Sequence, residues 1–233
     1  MSPARDISSK AWRGRLSARP ADPAVALKEA PKGLFTLDQQ DGHDAILYVP
    51  PSYQPDTPLP LVLMLHGAGG NARGGLEPFL PLADMANLIL LAPSSGDQTW
   101  DVIRGGFGPD VSYIDNMLGQ AFAWYAVDTS YLGIAGFSDG ASYALSLGLT
   151  NGDLFTHIIA FSPGFMAPAS HYGTPRIYIS HGTRDAVLPI NRCSRRIVPQ
   201  LQQEHYDVHY CEFDGPHTVP IEAVRGAWQW FYQ

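Results

Sequence analysis

Five short apolar runs constrain this chain more than any other feature: "LVLMLH" (61–66), "LILLAP" (88–93), "YLGIAGF" (131–137), "HIIAFSP" (157–163) and "RIYISHG" (176–182). Each is strand-sized, nearly free of charge and ended by Gly or Pro signals, the pattern of strands buried on both faces. Helical periodicity fills the intervals. "SDGASYALSLGL" repeats Ala141, Leu145 and Leu149 at helical spacing, "YIDNMLGQAFAWYAV" reads as a helix capped by Asp110 or Ser112, and "IEAVRGAWQWFY" reads as a closing helix. "NRCSRRIVPQLQQEH" reads as a polar-faced helix interrupted by Pro199, "AILYVP" as an early half-exposed strand and "VHYCEF" as the last strand. Strands alternating with helices predict an α/β fold with a mainly parallel central sheet and helices on both faces. In such sheets the chemistry gathers beyond the carboxyl ends of the strands.

Composition narrows the class. Hydrophobic residues make up 45% of the 233 and charged residues 16%, enough apolar material for one core. No apolar run approaches the roughly 18 residues of a membrane helix, so no membrane partner is expected. The net charge of −7 argues against nucleic acid, which needs a basic surface to displace counterions. Residues 1–20 carry five basic residues and one acid, leaving 10 basic against 21 acidic in the remainder. That basic start lacks the apolar core of a secretory signal. It is read as an N-terminal extension over 1–32, followed by a catalytic domain over 33–233 and a cytoplasmic location. The Pro-rich "PPSYQPDTPLP" (50–60) is read as a rigid loop inside that domain. Cys193 and Cys211 have no metal-ligand partners at useful spacing and are expected as free thiols, and no metal or other cofactor is implied.

Gly136-Phe137-Ser138-Asp139-Gly140 fits G-x-S-x-G at the junction of a buried strand and a helix. The glycines permit a sharp turn that lifts a serine hydroxyl above the sheet edge at a helix N-terminus. That hydroxyl needs a base. Of the eight histidines, His217 in "DGPHTVP" lies between the last strand and the last helix, where a loop can reach Ser138, while His66 and His181 end strands and shape turns. Asp185, in "SHGTRDAVLP", is the candidate acid to orient the base, with Asp214 in reserve. "HGAGGN" exposes backbone N–H groups after a strand: Ala68, with Gly69 as the alternative, and Asp139 are the candidate oxyanion donors, the Asp139 carboxylate pointing away.

Together "LHGAGG", "GFSDGAS", "HGTRD" and "GPHTVP" resemble the α/β-hydrolase superfamily, and more closely its small bacterial esterases of the phospholipase/carboxylesterase or polyhydroxybutyrate-depolymerase-like group, over residues 43 to about 231. The resemblance implies a cofactor-independent serine hydrolase with Ser138 as nucleophile, His217 as base and Asp185 as orienting acid. Only "GFMAPASHYGT" separates two of the strands, so no cap domain is expected. Trp100, Phe107, Phe165, Met166 and Tyr172 are candidates for an apolar substrate pocket. These features point first to a carboxylesterase acting on small soluble ester substrates. A thioesterase or lysophospholipase-type hydrolase with the same triad, a peptidase, or a non-catalytic binding module on the same fold are the alternatives. Sequence leaves oligomeric state open, a homodimer included.

Overall fold

The computed structural model describes residues 9–22, 26–27, 29–40 and 43–233. Its strands and helices, in chain order, are β1 (Gly33–Gln40), β2 (His43–Val49), β3 (Leu59–Leu65), α1 (Ala72–Leu76), α2 (Ala83–Ala86), β4 (Ile89–Pro93), α3 (Pro109–Trp124), β5 (Val127–Phe137), α4 (Asp139–Thr150), β6 (His157–Phe161), β7 (Arg176–Gly182), α5 (Ser194–Gln203), β8 (Val208–Phe213) and α6 (Ile221–Phe231). The strands form one eight-stranded sheet in the order β1-β2-β4-β3-β5-β6-β7-β8. β1 and β2 are an antiparallel pair, β2 is antiparallel to β4, and every later pairing is parallel.

The apolar runs take the central strands, and all residues of β3, β4 and β6 are buried. One face of the sheet is covered by α3, α4 and α5 through Val111, Ile114, Leu145, Leu149, Ile197 and Leu201. The other is covered by α1, α2 and α6 through Leu76, Ala83, Val224, Ala227, Trp230 and Phe231. Fully burying a side chain such as Leu is worth about 1.5–3 kcal/mol. Two covered faces therefore explain why the central strands read as unbroken apolar runs rather than alternating ones.

Several elements differ from the sequence expectations. β1 has no strong apolar pattern and escapes periodicity because it is an edge strand. Pro199 lies inside α5 without ending it. α3 begins at Pro109 with Gly108 at its N-cap, and neither Asp110 nor Ser112 caps it. Instead the buried Asp110 carboxylate accepts the N–H groups of Gly96 and Asp101 at 2.8 Å each.

Residues 9–20, read from sequence as part of an extension, pack on the α3–α4 face. Ala11 and Leu16 are buried in the core. Asn151 accepts from the Leu16 N–H at 2.9 Å and donates to the Gly14 carbonyl at 2.7 Å, while Arg15 forms a two-pronged ion pair with Asp153. Residues 1–8 of the extension lie outside the described residues. Both cysteines are free thiols, Cys193 buried and Cys211 half-buried. Among the described residues no helix is long and apolar enough to cross a membrane.

Candidate active site

Strand order reverses around β3, with β4 on one side of it and β5 on the other, and a crevice opens at such a switch point beyond the carboxyl ends. The loop after β3 supplies Gly67, Ala68 and Gly69 to this crevice, and the turn after β5 supplies Ser138. Ser138 sits at φ 58°, ψ −119°, a conformation that bulky L-residues avoid. The turn is held because its flanks fit no side chain. A Cβ on Gly136 would lie 2.3 Å from the Gly140 carbonyl, and one on Gly140 would lie 2.2 Å from the Leu65 carbonyl oxygen.

The loops after β7 and β8 bring the other two candidates to this turn. The Ser138 hydroxyl donates to His217 Nε2 at 2.9 Å, and His217 Nδ1–H donates to Asp185 Oδ2 at 2.5 Å. Asp185 is itself anchored: Oδ1 accepts the N–H groups of Val187 and Leu188 at 2.9 and 2.7 Å. Its side chain is fully buried. Burial works to raise its pKa, but the bonds from Leu188 and His217 outweigh it and hold the carboxyl below its ordinary value. Asp214, the reserve acid, pairs instead with Arg184 on the surface.

Two histidines that the sequence placed at turns are wired into the frame. His66 donates from Nδ1 to the Gly67 carbonyl and accepts the Ser95 N–H at Nε2, and burial lowers its pKa, so the neutral ring pins the loop after β3 to the loop after β4. His181 is fully buried, with Nε2 2.8 Å from the Leu188 carbonyl and 3.2 Å from Asp185 Oδ2, while Ser194 donates to its Nδ1 at 2.7 Å. Its pKa is lowered, chiefly by burial.

Of the two oxyanion candidates on the loop after β3, the Gly69 N–H is taken by the Gln98 carbonyl at 2.6 Å, and Ala68 is the candidate that remains. Asp139 opens α4, where the first N–H groups have no acceptor inside the helix. Its carboxylate accepts from the Thr99 hydroxyl at 2.6 Å.

The five pocket candidates scatter. Trp100 lies in the core, fully buried, stacked on Tyr143 with centroids 5.0 Å apart and donating to the His66 carbonyl. Phe107 is buried against Tyr143 and Gly14. Tyr172 packs under Arg15 and donates its N–H to the Leu149 carbonyl near the far end of α4, about 16 Å from Ser138 by helical rise. Phe165 and Met166 are half-buried in the segment between β6 and β7, which contains no helix. A ladder of hydroxyls on α4 clips that segment down: Ser142 accepts from Gly164, Ser146 from Ala167 and Thr150 from Ala169.

A cleft lined by the residues next to Ser138, though not by Ser138 itself, lies elsewhere. It has a volume of about 260 Å³ and is bounded by Gly67, Gly74, Glu77, Pro78, Phe137 and Val219. A Cβ on Gly67 would lie 3.4 Å from Ser138 Cβ, and the Phe137 ring packs on the His217 imidazole at 4.7 Å. Phe137, Val219 and Glu77 were not singled out from sequence as lining this cleft, although Phe137 and Val219 lie inside the G-x-S-x-G and "DGPHTVP" segments.

No family model matches the chain. It is similar to a probable feruloyl esterase C of Aspergillus clavatus, 30% identical over 159 residues that cover 65% of this chain and 57% of the relative. It is also similar to the feruloyl esterase C of Emericella nidulans, 27% identical over 66% of this chain and 59% of that one. The matched region thus spans less than two thirds of each relative's own length. Among solved structures it superposes on a thermostable esterase with a TM-score of 0.69 and 20% identity, covering 85% of this chain and 62% of that one. It also superposes on the ferulic acid esterase of Anaeromyces mucronatus in complex with ferulic acid, with a TM-score of 0.63 and 16% identity over 90% and 94% of the two chains. These superpositions show that the chain has the α/β-hydrolase fold. The predicted fold class holds, and the segment between β6 and β7 lies flat on α4 in place of a cap domain.

The loop after β4 and the first turn of α3 also bring two carboxylates close together. Asp101 and Asp110 exchange backbone-to-carboxylate hydrogen bonds at 2.8 and 3.0 Å. Burial, reinforced by the Asp110 charge, pushes Asp101 up to about 6. The folded protein therefore binds a proton here that the unfolded chain has released, so stability falls as pH rises from about 4 through 6. Asp101→Asn keeps an acceptor and removes the charge. It is expected to raise stability at pH 7 by about 2 kcal/mol at most, with no gain below pH 4. Denaturant titrations at both pH values check this, and an equal effect at both would remove the explanation.

Proposed function

We propose that this chain hydrolyses carboxylic esters through an acyl-enzyme on Ser138. What supports the reading is one observation: a single imidazole, His217, bridges the Ser138 hydroxyl and a buried, doubly anchored Asp185 carboxylate. In the first half-reaction His217 Nε2 takes the hydroxyl proton as Oγ bonds to the ester carbonyl carbon. The negative oxygen of the tetrahedral intermediate is received by the N–H groups of Ala68 and Asp139. His217 then returns the proton to the leaving alkoxide, and the alcohol departs. Water repeats the sequence on the acyl-enzyme and frees the acid. Asp185 keeps the imidazole in the tautomer whose Nε2 faces Ser138 and stabilises the imidazolium.

Several curated relatives are named feruloyl esterases, and one is named a bifunctional acetylxylan esterase/xylanase. We therefore assign hydroxycinnamoyl esters as the substrate class, with the cleft beside Phe137 and Val219 receiving part of the substrate. Methyl ferulate is expected to be turned over with higher kcat/KM than methyl acetate. Val219→Phe fills the cleft and is expected to lower kcat/KM on methyl ferulate by about 10-fold or more, leaving methyl acetate within about twofold. Equal losses on both esters would detach the cleft from substrate selection, and no turnover of either would remove the esterase reading.

A further inference from the structure

A second concavity, of about 610 Å³, lies between the N-terminal segment and the loop after β4. One wall is the indole of Trp12, which is 58% exposed in spite of its size. Its edge rests on Gly108, 3.2 Å from where a Cβ would stand. The floor is backbone: Gly105 and Gly106 sit at φ 128° and 149° with open space where their side chains would be, and Phe107 turns inward to Tyr143. Arg104 supplies exposed N–H donors at the rim, while Asp101 lines the groove with its carboxylate turned inward.

We propose that this groove binds a neutral sugar residue of a saccharide whose ester is presented to Ser138. A pyranose or similar ring has a face of C–H groups that matches the negative face of an indole, and an equator of hydroxyls that needs donors and acceptors at the rim. Trp12 supplies the first; the exposed Arg104 guanidinium and the open backbone at Gly105 and Gly106 supply the second. The groove suits other ligands less well. Its cation, Arg104, is already paired with Asp97 at 2.5 Å, so a polyanion finds little uncompensated positive charge there. Its glycine floor offers no continuous apolar trough for an acyl chain or an amphipathic helix.

One loop joins the groove to the triad. Gln98 accepts the Gly69 N–H and Thr99 donates to Asp139, the residue after Ser138, and the groove starts at Asp101. A saccharide acylated at Ser138 would run outward along this loop. Only that link to the triad rests on the proposed esterase activity; sugar binding at the groove does not.

The test uses the full chain. Isothermal titration with xylotetraose and cellotetraose, which carry no ester, reads the groove alone; methyl ferulate reads the triad alone; a feruloylated xylo-oligosaccharide reads both. The wild type is expected to bind at least one tetrasaccharide. Trp12→Ala should weaken that binding by about tenfold and lower kcat/KM on the feruloylated oligosaccharide by a similar factor, with Trp12→Phe retaining most of both. Methyl ferulate turnover should stay within twofold in every variant. If Trp12→Ala does not fold, Arg104→Gln, at a guanidinium 59% exposed, carries the same comparison. Failure of the wild type to bind either tetrasaccharide, or binding unchanged in the folded variants, overturns the proposal. Trp12-dependent binding without any esterase activity keeps the groove and removes the function proposed for the triad.

Discussion

Ser138→Ala is expected to lower kcat on methyl ferulate by about 10⁴- to 10⁶-fold, and His217→Ala by a comparable factor. In the proposed mechanism the two act as one unit, the hydroxyl attacking only as the imidazole takes its proton, so the double variant should lose little more than either single one. Neither change disturbs packing greatly. Ser138 fills no large volume and His217 is held in a loop, its ring lying on Phe137. Circular dichroism and thermal melting should therefore match the wild type. Covalent labelling by a fluorophosphonate gives a second readout that needs no substrate. The wild type should be labelled once, and Ser138→Ala not at all. Full-rate labelling of that variant would move the nucleophile elsewhere, and retained turnover in His217→Ala would give the base to another group.

Gly140→Ala is expected to cost about 3 kcal/mol or more of stability, a large share of the roughly 5–15 kcal/mol that holds a typical domain. The reason is steric and backbone-on-backbone. The new methyl would sit 2.2 Å from the Leu65 carbonyl oxygen and 2.5 Å from that of His66, neither of which can rotate away. Relief requires α4 to separate from β3, the two elements that frame the crevice at Ser138. Gly136→Ala meets the Gly140 carbonyl at 2.3 Å and should behave alike. Gly74→Ala is the control. Its nearest neighbour would be Asn71 Oδ1 at 3.8 Å, and within α1 alanine should be tolerated or gain up to about 1 kcal/mol. Denaturant midpoints for the three variants check the contrast. A Gly140→Ala protein as stable as the wild type would mean that the turn can open without cost.

The parts of this protein that were legible in sequence are those with local physical signatures. Runs such as 61–66 and 157–163 announce burial on both sides because nothing polar interrupts them, and G-x-S-x-G announces a turn because two of its positions tolerate no side chain. Ser138, Asp185 and His217 were found one motif at a time, each at the end of a strand-like run. β1, without such a run, was not seen, and Pro199 was misjudged because α5 tolerates it where a local rule does not.

Pocket residues were legible least. Trp100 and Phe107 lie on the expected loop yet point into the core, where Tyr143 receives them, and Tyr172 ends up beneath Arg15. An aromatic in a loop has the same local sequence signal whether it turns inward or outward. The amino-acid order alone fixed the alternation of strands and helices, the sheet class and the identity of the three residues at the strand ends. Only tertiary packing decided that Gln98 took the Gly69 N–H, which walls enclosed the cleft beside Phe137 and that Trp12 came to rest over Gly108. Those outcomes depend on contacts between segments far apart in the chain, and no short window of sequence contains both partners.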